Sequence, residues 1–171
     1  EPLPDKLIKA TKLQDIHGVK RNVPSLAKPT VLLFIAPDCP IANRYAPELK
    51  RIFTEFKDRI EFAIQYVAIE STMAEIKAHA KDFGLKVPAY IDSDLKLVRA
   101  TGATISPEAV LVSKTGRILY RGRIDDLYDG HGARKAKVTR RDLAIAIKEV
   151  LAGKPVSKPV IPATGCYLPK G

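Results

Sequence analysis

Two cysteines, Cys39 and Cys166, are the strongest nucleophiles in this 171-residue chain. As thiolates they would attack disulfides or peroxides, or bind soft metals. Cys39 lies in Pro37-Asp38-Cys39-Pro40, between an unbroken apolar run from Val31 to Ala36 and an amphipathic stretch. The alternative is a small buried apolar residue, a role cysteines often fill. Position favours the reactive reading, because strand-to-helix junctions are where sheet proteins place function. A second grouping is Asp125, Asp126, Asp129 and His131, three carboxylates and a histidine that are donors for a divalent cation. Its spacing fits neither an EF-hand nor a zinc signature, and aspartate and glycine are what turns require, so no metal site is expected. His17, beside Gly18, reads as a turn residue, and His79, among lysines, as a surface side chain.

Elements that could hold Cys39 follow from the pattern around it. An apolar run without polar interruption is a strand buried on both faces, in the middle of a sheet. Ile41, Tyr45, Leu49, Ile52, Phe53 and Phe56 then recur at three- and four-residue steps, the stripe of one amphipathic helix. Asp38 or Cys39 falls at its N-cap and Pro40 in its first turn. Free N–H groups and the helix dipole at that end lower a thiol pKa below about 8.5, while the Asp38 carboxylate opposes them. Residues 7–13 alternate weakly as an edge strand, and residues 60–69 form a second central strand in a βαβ unit. Ser71 or Thr72 caps a helix that Gly84 ends, with Glu75 placed for a capping box. A helix over 94–100 follows, stopped by Gly102. Strands at 109–113 and 117–122 are joined by Lys114-Thr115-Gly116, and a last helix spans 139–152, capped by Thr139. Residues 154–166 carry three prolines and almost no helix or strand signal: an extended arm that delivers Cys166.

This order, with Cys39-Pro40 after an apolar strand and Ser106-Pro107-Glu108-Ala109-Val110-Leu111-Val112 before Thr115-Gly116-Arg117-Ile118, resembles the thioredoxin-like redoxin family, especially its secreted bacterial members. The resemblance covers residues 15–151. It implies an α/β fold, a three-layer α/β/α sandwich with a mixed central sheet and an amino-terminal hairpin around His17-Gly18; the proline-rich stretch beyond it divides the chain into a body over residues 1–153 and an arm over 154–171. In that family the proline matching Pro107 is cis, lies beside the reactive cysteine and holds an edge on which a partner peptide pairs as an added strand. The usual Cys-x-x-Cys is absent, because Ala42 stands where a resolving cysteine should be. Cys166 is then the substitute resolving thiol; the alternative is a free thiol on a loose tail. The implied function is a thiol–disulfide oxidoreductase with Cys39, Cys166 and Pro107 catalytic, Pro40, Asn43 and Ser106 contacting substrate, no cofactor, and a protein disulfide or dithiol as partner. The run from Arg121 to Asp126 would border the site. A thiol peroxidase is the second reading, weakened by Ala36 and Pro107 where peroxiredoxins carry Thr or Ser and Arg. A metal-delivering or protein-binding module is the third, weakened by Asn43 where copper-assembly relatives carry their second cysteine.

Composition sets outer limits. A chain of 171 residues fits one domain with a sizeable core. No run of 18 apolar residues is present, so no transmembrane segment is expected. A start at Glu1 rather than Met suggests a removed targeting segment and a periplasmic or otherwise secreted protein. Two cysteines permit one bridge without making a disulfide scaffold. The formal charge is +10, and residues 114–158 hold twelve basic against five acidic side chains. Such a patch attracts acidic partners or anionic membrane surfaces, but few aromatics and no reader motif argue against nucleic acid, and a solvated basic face is the expected reading.

Overall fold

A computed structural model of the chain describes residues 2–68, 70–84, 86–92, 94–128 and 133–170. In chain order the elements are β1 (Thr11–Gln14), β2 (Lys20–Val23), β3 (Thr30–Ile35), α1 (Pro40–Arg44), α2 (Ala46–Phe56), β4 (Glu61–Tyr66), α3 (Met73–Phe83), β5 (Ala89–Ile91), α4 (Lys96–Thr101), β6 (Ile105–Ser106), β7 (Glu108–Val112), β8 (Ile118–Gly122), α5 (Asp142–Leu151), β9 (Val160–Ile161) and β10 (Cys166–Tyr167). Six strands make the central sheet in the order β5-β4-β3-β7-β8-β9. The β3–β4, β4–β5 and β8–β9 pairs are parallel, and β3–β7 and β7–β8 antiparallel. All six residues of β3 are buried, as an apolar run between two neighbouring strands requires. The β1–β2 hairpin is a separate antiparallel pair, its turn held by the Asp15 carboxylate, which accepts the His17 and Val19 N–H groups at 2.8 and 2.9 Å.

Three layers follow from side-chain alternation. Phe62 and Tyr66 share one sheet face, where Phe62 meets Phe53 of α2 edge-on at 5.5 Å and Tyr66 meets His79 of α3 at 5.3 Å. Arg121 points to the opposite face and donates to the Thr101 carbonyl of α4 at 2.9 Å. On the first face α5 is tied to α2 by Arg141, which bonds Glu48 at 2.7 Å. This is the thioredoxin-like mixed α/β sandwich. Among the described residues no helix is long and apolar enough to cross a membrane.

Four local expectations need correction. The helix over residues 40–56 is two helices, broken at Tyr45 (φ −85°, ψ −2°). Pro47 causes the break, since it has no N–H for the Asn43 carbonyl and its ring crowds that oxygen. The last helix starts at Asp142 rather than Thr139, with no side-chain cap, because the Thr139 hydroxyl is spent on the Asp126 carboxylate. Helix α4 starts at Lys96, where Asp92 Oδ2 accepts the Leu97 and Val98 N–H groups at 3.1 and 3.0 Å. Thr72 and Gly84 do bound α3, with Thr72 Oγ1 accepting the Glu75 N–H at 3.2 Å. The fourth correction concerns the arm, which carries two strands. Its β9 extends the sheet beside β8, with Arg121 N–H donating to the Pro159 carbonyl at 2.9 Å and Arg123 N–H to that of Ile161 at 3.1 Å. Gly122 permits the approach, since a Cβ there would overlap the Ile161 carbonyl oxygen. Leu168 then buries itself in the core at 5% exposure, worth roughly 2 kcal/mol.

Candidate redox site

Cys39 is the N-cap of α1, with extended backbone (φ −86°, ψ 110°) and its sulfur 3.5 Å from the Ala42 N–H. The proline-imposed break leaves α1 five residues long, so its dipole is small. The N–H contact available to the sulfur is that of Ala42, rather than the dipole of a long helix. Cys39 is 1% exposed and is disulfide-bonded to Cys166, with Cα atoms 6.0 Å apart across 127 residues of sequence. The arm thus returns to the sheet and brings the second sulfur to the first.

Ser106 organises the other side of this pair. Its hydroxyl accepts the Ala36 N–H at 2.8 Å, which pins the strand before Cys39 to the strand before Pro107. Its carbonyl oxygen lies 3.2 Å from Cys39 Sγ, a contact that a reduced S–H would turn into a hydrogen bond. The Ser106–Pro107 bond is cis, as is Val23–Pro24, and Pro107 is buried. Strand β10 runs antiparallel to β6 with Cys166 opposite Ser106 and Tyr167 opposite Ile105, continued by the Leu168 N–H to the Thr104 carbonyl at 2.8 Å. Cys39, Cys166, Ser106 and Pro107 therefore meet. Pro40 is exposed on the outer side of Cys39.

Asn43 is exposed one turn along α1, tied to a group the sequence assigned to the surface. His79 is half-buried, stacked on Phe83 at 5.1 Å, with Nε2 2.7 Å from Asn43 Oδ1 and Nδ1 2.7 Å from the Tyr66 hydroxyl. Both contacts are satisfied by a neutral ring that donates from Nε2 and accepts at Nδ1. Burial holds this imidazole below its usual pKa, against the pull of Asp82. A histidine whose folded pKa is depressed contributes stability that is fully present above the unfolded value, about 6.5, and is lost as pH falls from there through the depressed folded value. NMR titration of His79 should therefore show a midpoint below about 6.5, and a midpoint above it would break this assignment.

Glu108 is the residue that sequence reasoning missed. It is 5% exposed, and its Oε1 accepts the Thr104 and Ile105 N–H groups at 2.8 and 3.2 Å, which fixes the backbone of β6. Burial pushes its carboxyl up, against those two bonds and the Arg121 charge. A glutamate just after a proline, beginning an apolar strand, was the available signal.

Asp125 and Asp126 are engaged by protein donors. Asp125 Oδ1 accepts the Leu127 N–H at 2.9 Å, and burial raises its pKa. Asp126 accepts from Lys135 Nζ at 2.8 Å, from the Thr139 and Arg140 N–H groups at 2.8 and 3.0 Å, and from the Thr139 hydroxyl. Burial alone would raise its pKa, but these donors hold it well below the usual carboxylate range. Asp129 and His131 lie outside the described residues. Among the described residues no group of three or more His, Cys, Asp or Glu side chains is arranged to hold a metal. Asp126→Asn should cost about 2 kcal/mol at pH 7 in urea unfolding. That difference should be full above about 4 and shrink as pH falls from there through the depressed folded value, where the lowered carboxylate pKa stops contributing stability. The basic patch is likewise less free than composition implied, since Arg123 and Arg140 both pair with Asp142, Lys135 with Asp126, and Arg141 and Lys148 with Glu55.

The AhpC/TSA family model matches residues 4–121. The chain belongs to the AhpC/TSA family. A curated relative, the thiol-disulfide oxidoreductase ResA of Halalkalibacterium halodurans, is 24% identical over 110 residues, covering 63% of this chain and 61% of that protein. The chain therefore matches about three-fifths of that relative's length. An uncharacterised conserved protein of Geobacillus kaustophilus superposes with a TM-score of 0.83 at 22% identity, covering 99% of this AhpC/TSA-family chain and 93% of that chain. A secreted disulfide oxidoreductase of Mycobacterium tuberculosis superposes at 0.56 with 21% identity, over 64% of this chain and 80% of that one. At these identities the likeness establishes the fold. The broader coverage by the Geobacillus protein means that it shares a backbone path close to the full length described here.

Proposed function

We propose that this protein is a thiol–disulfide oxidoreductase whose redox-active pair is Cys39 and Cys166. The observation that carries the reading is the bridge itself, which joins a helix N-cap to a chain-distant arm directly beside the cis Ser106–Pro107 segment. In the reduced protein the Cys39 thiolate attacks one sulfur of a partner disulfide; a Cys39–partner disulfide forms and the partner's other sulfur leaves as thiolate. Cys166 then attacks Cys39 Sγ, forming the Cys39–Cys166 bond and releasing the second partner thiolate. Two electrons pass from the protein dithiol to the partner disulfide, and the reverse sequence oxidises a partner dithiol. Pro40, Asn43, Ser106 and Pro107 contact the partner chain, a protein disulfide or dithiol. Residues 154–171 serve as the resolving arm of a body spanning residues 1–153. A disulfide-permitting compartment, periplasmic or otherwise outside the cytoplasm, suits this chemistry. Support also comes from the ResA likeness, at the coverage stated above.

The test is transfer. Reduced protein mixed with a disulfide-bonded protein substrate should acquire the Cys39–Cys166 bridge as substrate thiols appear, followed by alkylation and peptide mapping. Peroxide consumption without disulfide transfer would favour the peroxidase reading instead.

A further inference from the structure

The end of the arm occupies the backbone edge next to the disulfide. Cys166 and Tyr167 pair with Ser106 and Ile105, and Leu168 bonds Thr104, so the exposed edge of β6 is already filled by a strand from the same chain. One side of a strand pairs with one strand at a time. The side chains of that resident strand also differ in what they demand. Tyr167 is 88% exposed, so its position is unrestricted, whereas Leu168 is buried in the core. Gly165 is tightly restricted, because a Cβ there would overlap the Ser106 carbonyl oxygen, lie 2.8 Å from its carbon and 3.1 Å from Ile105 Cγ2. No positive φ contributes to this restriction, so space alone demands glycine.

We infer that the β6 edge selects an extended segment of the pattern Gly-Cys-any-apolar, the pattern of the protein's own arm, which fills the edge in the disulfide form and is contested there by a cysteine-bearing polypeptide of the same pattern in the dithiol form. The inference rests on the oxidoreductase reading and adds the partner's sequence class to it. It also couples chemistry to release. A partner joined to Cys39 holds the edge, and the arm must retake that edge for Cys166 to reach Cys39 Sγ. Formation of the Cys39–Cys166 bond thereby expels the partner from its docking strand as well as from sulfur. Backbone pairing supplies affinity in such added strands, and the side-chain pockets supply selectivity.

The experiment uses the full chain carrying Cys166→Ser, in which Cys39 has no internal resolving thiol. Two six-residue peptides, Ala-Thr-Gly-Cys-Tyr-Leu and Ala-Thr-Ala-Cys-Tyr-Leu, are supplied with their cysteine as a mixed disulfide with thionitrobenzoate. Cys39 thiolate attacks the peptide sulfur, the Cys39–peptide bond forms, and thionitrobenzoate leaves with the electron pair and is read by its absorbance. The glycine peptide should react at least about tenfold faster, the size expected when a methyl group is forced into a filled contact. Equal rates would overturn the inference while leaving the oxidoreductase reading in place. Failure of Cys39 to react with either peptide or with the symmetrical aromatic disulfide would overturn that reading, and the inference with it. In the otherwise wild-type chain, Gly165→Ala should shift the glutathione equilibrium of the Cys39–Cys166 pair at least about tenfold towards the dithiol, for the same steric reason. An unchanged equilibrium would count against a glycine-selective edge.

Discussion

Replacing Cys39 by serine should lower disulfide exchange on the order of 10³-fold or more, as loss of a nucleophile does, whereas Cys166→Ser should leave the first step running and stop the second. The asymmetry follows from where the two sulfurs sit. Cys39 lies on the rigid junction between β3 and α1, within reach of the Ala42 N–H and against the Ser106–Pro107 backbone that flanks the docking edge. Cys166 lies on an arm held near the site by β10 pairing, the Leu168 N–H to Thr104 and the buried Leu168 side chain, among other contacts. A serine at 166 cannot attack Cys39 Sγ, so the partner stays attached. Non-reducing electrophoresis with mass mapping should then find the Cys166→Ser variant accumulating a partner disulfide on Cys39, and the Cys39→Ser variant accumulating none. Equal turnover by both variants would mean that neither sulfur acts as assigned.

The second large effect is on stability. The bridge closes a loop of 127 residues, and the chain-entropy model then assigns the oxidised protein an advantage of about 5 kcal/mol over the reduced one. For a chain of this size that corresponds to a melting temperature roughly 10–20 °C lower after reduction. The reduced arm keeps other holds: β9 beside β8, Ser157 donating to Glu149, and Leu168 in the core. Reduction should therefore leave the secondary structure intact at 25 °C while moving the denaturant midpoint. Coincident unfolding curves with and without reductant would show that the bridge does not restrain the unfolded chain in this way.

Much of this was legible in local pattern. The run from Val31 to Ile35 reads as a central strand because nothing polar interrupts it, and Pro40 with the apolar stripe puts a helix N-cap at Asp38 or Cys39, of which the structure has Cys39. The same stripe hid the break at Tyr45, since the period of apolar residues continues through Pro47 while the hydrogen bonding does not. Thr139 looked like a cap because its type is right, but a buried carboxylate thirteen residues earlier, Asp126, takes its hydroxyl. His79 looked solvated because its sequence neighbours are polar; its burial comes from Tyr66 and Phe83, one of them on another element. The strands of the arm were the hardest to read. Two-residue strands between prolines carry no period, and their positions are set by Gly122 and Gly165, where the backbone admits a close neighbour.

The central claim is that Cys39–Cys166 exchanges electrons rather than merely stapling the arm to the body. Its equilibrium reduction potential separates the two, measured by alkylation trapping of the intact 171-residue chain across graded glutathione or dithiothreitol buffers. Structural bridges in secreted proteins lie below about −300 mV, whereas exchange proteins lie between about −270 and −120 mV. A redox-active pair here gives a value in the upper range, with Cys39 and Cys166 alkylated together at each step. A value below about −300 mV, with no disulfide passed to any protein dithiol, would contradict it.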